Sequence, residues 1–307
     1  GDAIGIGLPI DYLKYGLTDA EIAAVFDVAA ENKATLFIHA RRLPIGDLAG
    51  LAEVISLSEH SGASVHFCHV NSNALGAIDA FLDAVRTAQA RGVDISIESY
   101  PYEAGSTQIG AAAFRGNWQD LYGMLHEDIV WAETGERLTP KTFHKYQQND
   151  PQGYIVLYSN TMDSVDKAIL ASETMVASDA MPAAMPNAKV HPRGRGTFSR
   201  TLKRYVKEQG TLSWSEAISK MTLEPAKRLE VMAPKFATKG RIGVGSDADI
   251  VVFDPKLLTD KASYEAPDQV SEGVQYVLVG GQVLISGSEL VLGVAPGKLL
   301  TARPRVD

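Results

Sequence analysis

Two stretches decide the fold: Thr35-Leu36-Phe37-Ile38-His39 and Ser64-Val65-His66-Phe67-Cys68-His69. Each is a short apolar run that ends on a histidine. The histidines stand about 30 residues apart, the length of one strand–helix–strand repeat. Working outward, Thr18-Asp19-Ala20-Glu21 reads as a capping box. Ile22, Val25, Phe26 and Ala29 then mark one face of a helix. Further helices are expected over roughly Leu48 to His60 and Ala74 to Ala90. A third strand, Asp94-Ile95-Ser96-Ile97-Glu98, runs into Tyr100-Pro101-Tyr102. Strands alternating with helices imply a parallel sheet, and little alternation within the strands implies burial on both faces, as in a barrel. Polar residues gather at the carboxyl ends of the strands, where such barrels place their chemistry.

Residues 103–160 have poor periodicity and read as an inserted loop or subdomain over the site. Order returns at Met175-Val176-Ala177-Ser178-Asp179, a strand ending on a carboxylate, followed by helices near Ser199–Glu208 and Trp214–Lys220. From Gly240 the pattern turns to short β-runs, with Gly280-Gly281 as a hairpin signal. The expected organisation is a barrel portion over 1–232 and a small β-domain over 233–307.

Composition narrows the function. The chain has 307 residues, 45% hydrophobic and 21% charged, with a net charge of −8. An acidic balance argues against nucleic-acid binding. No apolar run approaches the roughly 18 residues of a membrane span. Gly1 to Tyr12 lack the basic start and apolar core of a signal peptide. The single cysteine, Cys68, excludes an internal disulfide and fits a reducing compartment, so a cytoplasmic protein is expected. There is no P-loop, no G-x-S-x-G elbow, no His-Glu-x-x-His and no paired C-x-x-C.

His39 and His69, at the same depth on neighbouring strands, can converge on one zinc ion. Each fits equally as a hydrogen-bonded histidine at a strand end. Asp179 can move a proton at a metal site or cap the segment that follows it. The forked guanidinium of Arg193 suits a carboxylate, or a surface acid. Tyr102 and Ser106 offer hydroxyls past a strand end. His60, His66, His126 and His144 show no ligand spacing, and Cys68 should point away from the site if His69 points in.

At these residues the sequence resembles the D-aminoacylase, or N-acyl-D-amino-acid deacylase, branch of the amidohydrolase superfamily. The resemblance is carried by Phe37-Ile38-His39-Ala40-Arg41, Cys68-His69-Val70-Asn71 and Tyr100-Pro101-Tyr102 with Ala104-Gly105-Ser106-Thr107. It continues through Ala177-Ser178-Asp179, His191-Pro192-Arg193, Met221-Thr222, Gly245-Ser246-Asp247-Ala248-Asp249 and Pro296-Gly297. It implies an α/β protein of the metal-dependent-hydrolase (β/α)8 TIM-like class, fused to a small C-terminal β-sandwich. It implies His39 and His69 as metal ligands, Asp179 as the catalytic aspartate, and Arg193, Tyr102, Asn71 and Ser106 as substrate contacts. The cofactor expected is one or two zinc ions, and the substrate a small N-acyl amino acid or similar amide. Two departures qualify the likeness. The family carries a His-x-His pair on its first barrel strand, and this chain has none. The sequence opens near what resembles strand four, so it is expected to be about strands 4–8 of a longer polypeptide whose upstream portion holds the other ligands. The family also often has lysine where Asn71 stands, which leaves a carboxylate contact unfilled. A cyclic-amide hydrolase of hydantoinase or dihydroorotase type is the rival on the same fold. A non-catalytic barrel scaffold is the rival of another class.

Overall fold

The computed structural model describes residues 3–181 and 190–302. The chain divides into two compact units. One is Gly5–Gly194 with Ser263–Asp268, and the other holds Arg195–Ala262 and the residues from Gln269 onward. The helical residues 195–232 therefore group with the β-rich end. This differs from the boundary expected at residue 233.

In the first unit, β1 (Gly5–Pro9), β2 (Thr35–His39), β3 (Ser64–Phe67) and β4 (Ile95–Ser99) lie side by side and parallel. The chain then leaves this sheet and builds an antiparallel one from β5 (Ala104–Gln108), β6 (Ile129–Trp131), β7 (Glu136–Arg137) and β8 (Tyr154–Tyr158). It returns as β9 (Thr174–Val176), which pairs with β4. The parallel sheet has five strands in the order β1-β2-β3-β4-β9, with β1 and β9 at its edges.

The helices follow from their patterns. Thr18 Oγ1 accepts the Glu21 N–H at 3.3 Å, and Glu21 Oε2 accepts the Thr18 N–H at 2.8 Å, closing the expected capping box on Asp19–Glu31. That helix turns Ile22, Phe26 and Ala29 onto Leu36 and Ile38 of β2, all fully buried. Burying side chains of this size contributes about 1.5–3 kcal/mol each. Val65, Phe67, Ile95 and Ile97 extend the same core under the helices Ala49–Ser61 and Ile78–Ala90. The single helix expected over Ala74–Ala90 is in fact two, Val70–Ala74 and Ile78–Ala90. Leu75 and Gly76 break it with left-handed backbone (φ 41° and 90°).

Residues 103–160, aperiodic in sequence, owe their order to a second core. Trp118 stacks on Phe143 at 5.4 Å, and Ile129, Trp131, Ile155 and Leu157 line the inner face of the antiparallel sheet.

In the second unit, Ser213 and Glu216 form a capping box on the helix Trp214–Met221. β10 (Ile250–Phe253), β11 (Val274–Val279), β12 (Gln282–Ser286) and β13 (Glu289–Leu290) make one antiparallel sheet. Gly280 and Gly281, both at positive φ, turn β11 into β12. A sandwich needs two packed sheets, and the described residues of this unit supply one. No described helix is long and apolar enough to cross a membrane.

Candidate active site

The parallel register aligns the strand ends. Pro9 sits opposite His39, Ile38 opposite Phe67, Phe67 opposite Ile97, and Ser99 opposite Val176. The residues just past these positions are Asp11, His39, His69, Tyr100 and Asp179. A cavity of about 380 Å³ opens at this edge, and His39, His69, Arg42, Tyr100, Asp179 and Arg193 are among the residues that line it.

His39 and His69 meet across the two strands, with His39 Nδ1 3.0 Å from His69 Nε2. Burial, reinforced by His69 and then Arg42 and Lys14, pushes the His39 imidazole well below its ordinary range. Burial also lowers His69, although Asp179 pulls the other way. Both rings are therefore neutral at neutral pH, the form that binds metals. The two nitrogens are close to the spacing of neighbouring ligands of a tetrahedral zinc, for which Zn–N bonds of about 2.0–2.1 Å imply a separation of about 3.3–3.4 Å. The other ring nitrogen of His39, Nε2, is sealed from solvent without a hydrogen-bond partner. It faces Asp11 Oδ2 at 3.9 Å. Among the described residues, no group of three or more His, Cys, Asp and Glu side chains could hold a metal. The described residues thus bring two imidazole nitrogens together and show no complete metal site.

Asp179 follows β9 in left-handed backbone, φ 47°, and His69 follows β3 in the same region, φ 38°. Such backbone costs about 1–3 kcal/mol per residue and collects at functional sites. The turn brings Asp179 Oδ2 to 2.8 Å from Arg193 Nη1. Arg193 is buried and lies over the Tyr100 ring, 4.7 Å from its centroid. Tyr100 in turn shares a 2.8 Å hydrogen bond with Ser72.

The expected substrate contacts divide. Arg193 and Ser106 line the cavity. Arg193 is engaged there by Asp179, and the Ser106 hydroxyl donates to Ile155 O at 2.9 Å. Tyr102 and Asn71 are not among the lining residues. The Tyr102 N–H bonds back to Tyr100 O at 3.0 Å, and this tight turn sends the Tyr102 ring into the interior against His191 and Tyr264. Asn71 is buried, and its Nδ2 lies 3.4 Å from Tyr100 O. Tyr100, not Tyr102, faces the cavity.

Several residues escaped the sequence reading. Asp11 is fully buried. It accepts the Arg42 N–H and the Lys14 ammonium, each at 3.1 Å, and the Tyr122 hydroxyl at 3.3 Å. Its place after β1 was a usable signal, but no motif marked it. His191 accepts the Arg193 N–H on Nδ1 at 3.0 Å and donates from Nε2 to Ala104 O at 2.7 Å, fixing the start of the helix that carries Arg193. His66, which shows no ligand spacing in the sequence, is a buried structural histidine, with Ser96 Oγ at 2.7 Å and Glu98 Oε2 at 3.2 Å. Burial pushes the Cys68 thiol far up, which disfavours the thiolate.

Comparison with known proteins gives the geometry its relatives. Residues 165–285 match the family described as amidohydrolase family. The chain is 30% identical over 290 residues to an N-acyl-D-glutamate deacylase of Alcaligenes xylosoxydans xylosoxydans, covering 91% of this chain and 57% of that protein. An N-acyl-D-aspartate deacylase of the same organism is 35% identical over 218 residues, covering 67% of this chain and 40% of the relative. The chain thus spans about half the length of these curated relatives. Among solved structures, an N-acyl-D-glutamate deacylase of Bordetella bronchiseptica, complexed with zinc and a phosphonate mimic of the tetrahedral intermediate, superposes with a TM-score of 0.82 at 25% identity. That superposition covers 98% of this chain and 63% of the other.

Proposed function

This chain belongs to the N-acyl-D-amino-acid deacylase branch of the amidohydrolase superfamily, and from that premise we propose that it carries part of the active site of a hydrolase cleaving the amide bond of N-acyl amino acids. The observation that carries the reading is the convergence of His39, His69, Asp179 and Arg193 on one cavity at the carboxyl edge of the parallel sheet. A zinc ion held in part by His39 and His69 would polarise the scissile carbonyl and lower the pKa of the attacking water. Asp179 is the proton carrier. Its carboxylate accepts a proton as water adds to the carbonyl, and returns it to the nitrogen as the C–N bond breaks. The ion pair with Arg193, Nη1 to Oδ2 at 2.8 Å, aims that carboxylate. Tyr100 supports the Arg193 guanidinium from below.

The test is turnover by the full-length protein. N-acetyl-D-amino acids are expected to be hydrolysed, and cyclic imides such as hydantoins or dihydroorotate are not. Preference for the cyclic substrates would move the assignment to the cyclic-amide hydrolases. A pure protein with no bound metal and no activity on either class would return the scaffold reading.

A further inference from the structure

Behind the cavity wall, a buried ring nitrogen without a partner faces a buried carboxylate with room for one more donor. Asp11 follows β1 and is fully buried. It is not among the residues that line the cavity. An ionised carboxylate offers about four lone-pair sites. Three donors reach this one: the Arg42 N–H and the Lys14 ammonium on Oδ1, each at 3.1 Å, and the Tyr122 hydroxyl on Oδ2 at 3.3 Å. Oδ2 also faces His39 Nε2 across 3.9 Å. That nitrogen is sealed from solvent with no hydrogen-bond partner. A neutral imidazole carries one ring proton, and its surroundings decide which nitrogen holds it. A proton on Nδ1 would leave the Nε2 lone pair buried against the carboxylate, and the two repel. A proton on Nε2 instead aims a donor at the remaining acceptor site. It also leaves the Nδ1 lone pair directed at His69 Nε2, 3.0 Å away. Metal-binding histidines are commonly held in this way, with the second ring nitrogen donating to a carboxylate. The Tyr12 ring packs T-shaped on His39, with centroids 4.8 Å apart, and limits how far the imidazole can turn.

We infer that Asp11 is the positioning residue of His39: it holds the ring proton on Nε2 and so presents Nδ1 as the metal-binding atom. The inference rests on the reading of His39 as a zinc ligand of the proposed hydrolase. It adds a carboxylate that is not itself a ligand and acts through the histidine. The Arg42 N–H, Lys14 and Tyr122 fix that carboxylate from its other sides, so that the last acceptor site stays aimed at the ring.

Zinc affinity of the full-length apoprotein, read by competition with a chromophoric chelator, tests this without turnover. In Asp11→Asn the Arg42 N–H and Lys14 keep the amide oxygen, so the amide NH₂ faces His39 and favours the wrong tautomer. Zinc should bind about 10–100-fold more weakly, the usual cost of losing such a carboxylate. His39→Ala should also weaken zinc, and adding Asp11→Asn to it should change nothing more, because Asp11 acts through His39 alone. The inference is overturned if Asp11→Asn binds zinc as tightly as the unaltered protein. It is overturned too if the two losses add, as a general loosening of the structure would make them. Should Asp11→Asn fail to fold, the ring nitrogen NMR shifts of His39 in the unaltered, zinc-loaded protein decide. A proton on Nε2 is expected, and a proton on Nδ1 overturns the inference. Zinc binding that depends on Asp11, in a protein that hydrolyses no amide, would sink the proposed function alone. Undiminished zinc binding by Asp11→Asn in an active hydrolase would sink this inference alone. An unaltered protein with no affinity for zinc would sink both.

Discussion

Gly50→Ala sets two opposed effects against each other, and the structure says which wins. Gly50 lies in the first turn of the helix Ala49–Ser61, where alanine is normally preferred to glycine by up to about 1 kcal/mol. A Cβ at this position would stand 2.1 Å from the Arg41 carbonyl oxygen and 3.1 Å from its carbonyl carbon. Both are backbone atoms, so no side chain can swing aside. Either the helix start retreats or the Ala40–Arg42 segment moves, and overpacking of this kind costs about 1–3 kcal/mol. The net expectation is a loss of about 1–2 kcal/mol, or a few degrees in Tm. The segment that would move follows directly on His39 and carries Arg42, both of which line the cavity, so substrate affinity should fall together with stability. Gly194→Ala is the control. It too is helical, but among the described residues its Cβ would meet only Ala180 Cβ, at an ordinary 3.9 Å. Thermal and denaturant unfolding of both variants, with substrate titration, make the measurement. If Gly50→Ala proves as stable as Gly194→Ala, the close approach of helix and strand end is wrong, and so is the placement of Arg42 that depends on it.

Three further outcomes are expected. Asp179→Asn should lower kcat by about 10²–10⁴, the range of acid–base catalysis; wild-type turnover would remove Asp179 from the mechanism. Chelation of the full-length protein should abolish hydrolysis and lower Tm, with recovery on adding zinc; activity indifferent to chelators would argue against His39 and His69 as ligands. Burial tends to raise the Glu98 carboxyl, but the His66 hydrogen bond and charge outweigh it, so the folded pKa lies below the ordinary value of 4.5. The stabilisation from Glu98 is therefore present above about pH 4.5 and lost as pH falls through the folded value. Glu98→Gln should flatten that acid limb in a series of unfolding curves, and an unchanged limb would discount the pair.

Much of the first unit was legible because strand burial and helix periodicity are local signals. Thr18 and Glu21 start a helix wherever they are read, and Phe37-Ile38-His39 is strand on its face. The separation of His39 and His69 by one repeat was enough to predict that they meet, and they do at 3.0 Å. The antiparallel sheet of residues 104–158 was illegible because its core is assembled from distant pieces. Trp118, Phe143 and Ile155 follow no shared period, and only the fold brings them together. The C-terminal expectation of a sandwich leaned on resemblance, and strand patterns alone do not count sheets. Asp11 was missed for a simpler reason: a lone aspartate beside Pro9 carries no spacing that sets it apart from a helix-start residue.

The place of Tyr102 shows where strand alternation stops as a guide to side-chain direction. Alternation predicts which way a side chain points only while the backbone stays extended. At the carboxyl edge of this sheet it does not. His69 and Asp179 adopt left-handed backbone, and the Tyr100–Tyr102 segment folds on itself through a 3.0 Å bond. Each departure re-aims the next side chain. Tyr102 is turned into the interior, Tyr100 toward Arg193, and Asp179 onto the Arg193 guanidinium. Arg193 is thereby engaged by Asp179, and Asn71 is buried with its Nδ2 3.4 Å from Tyr100 O.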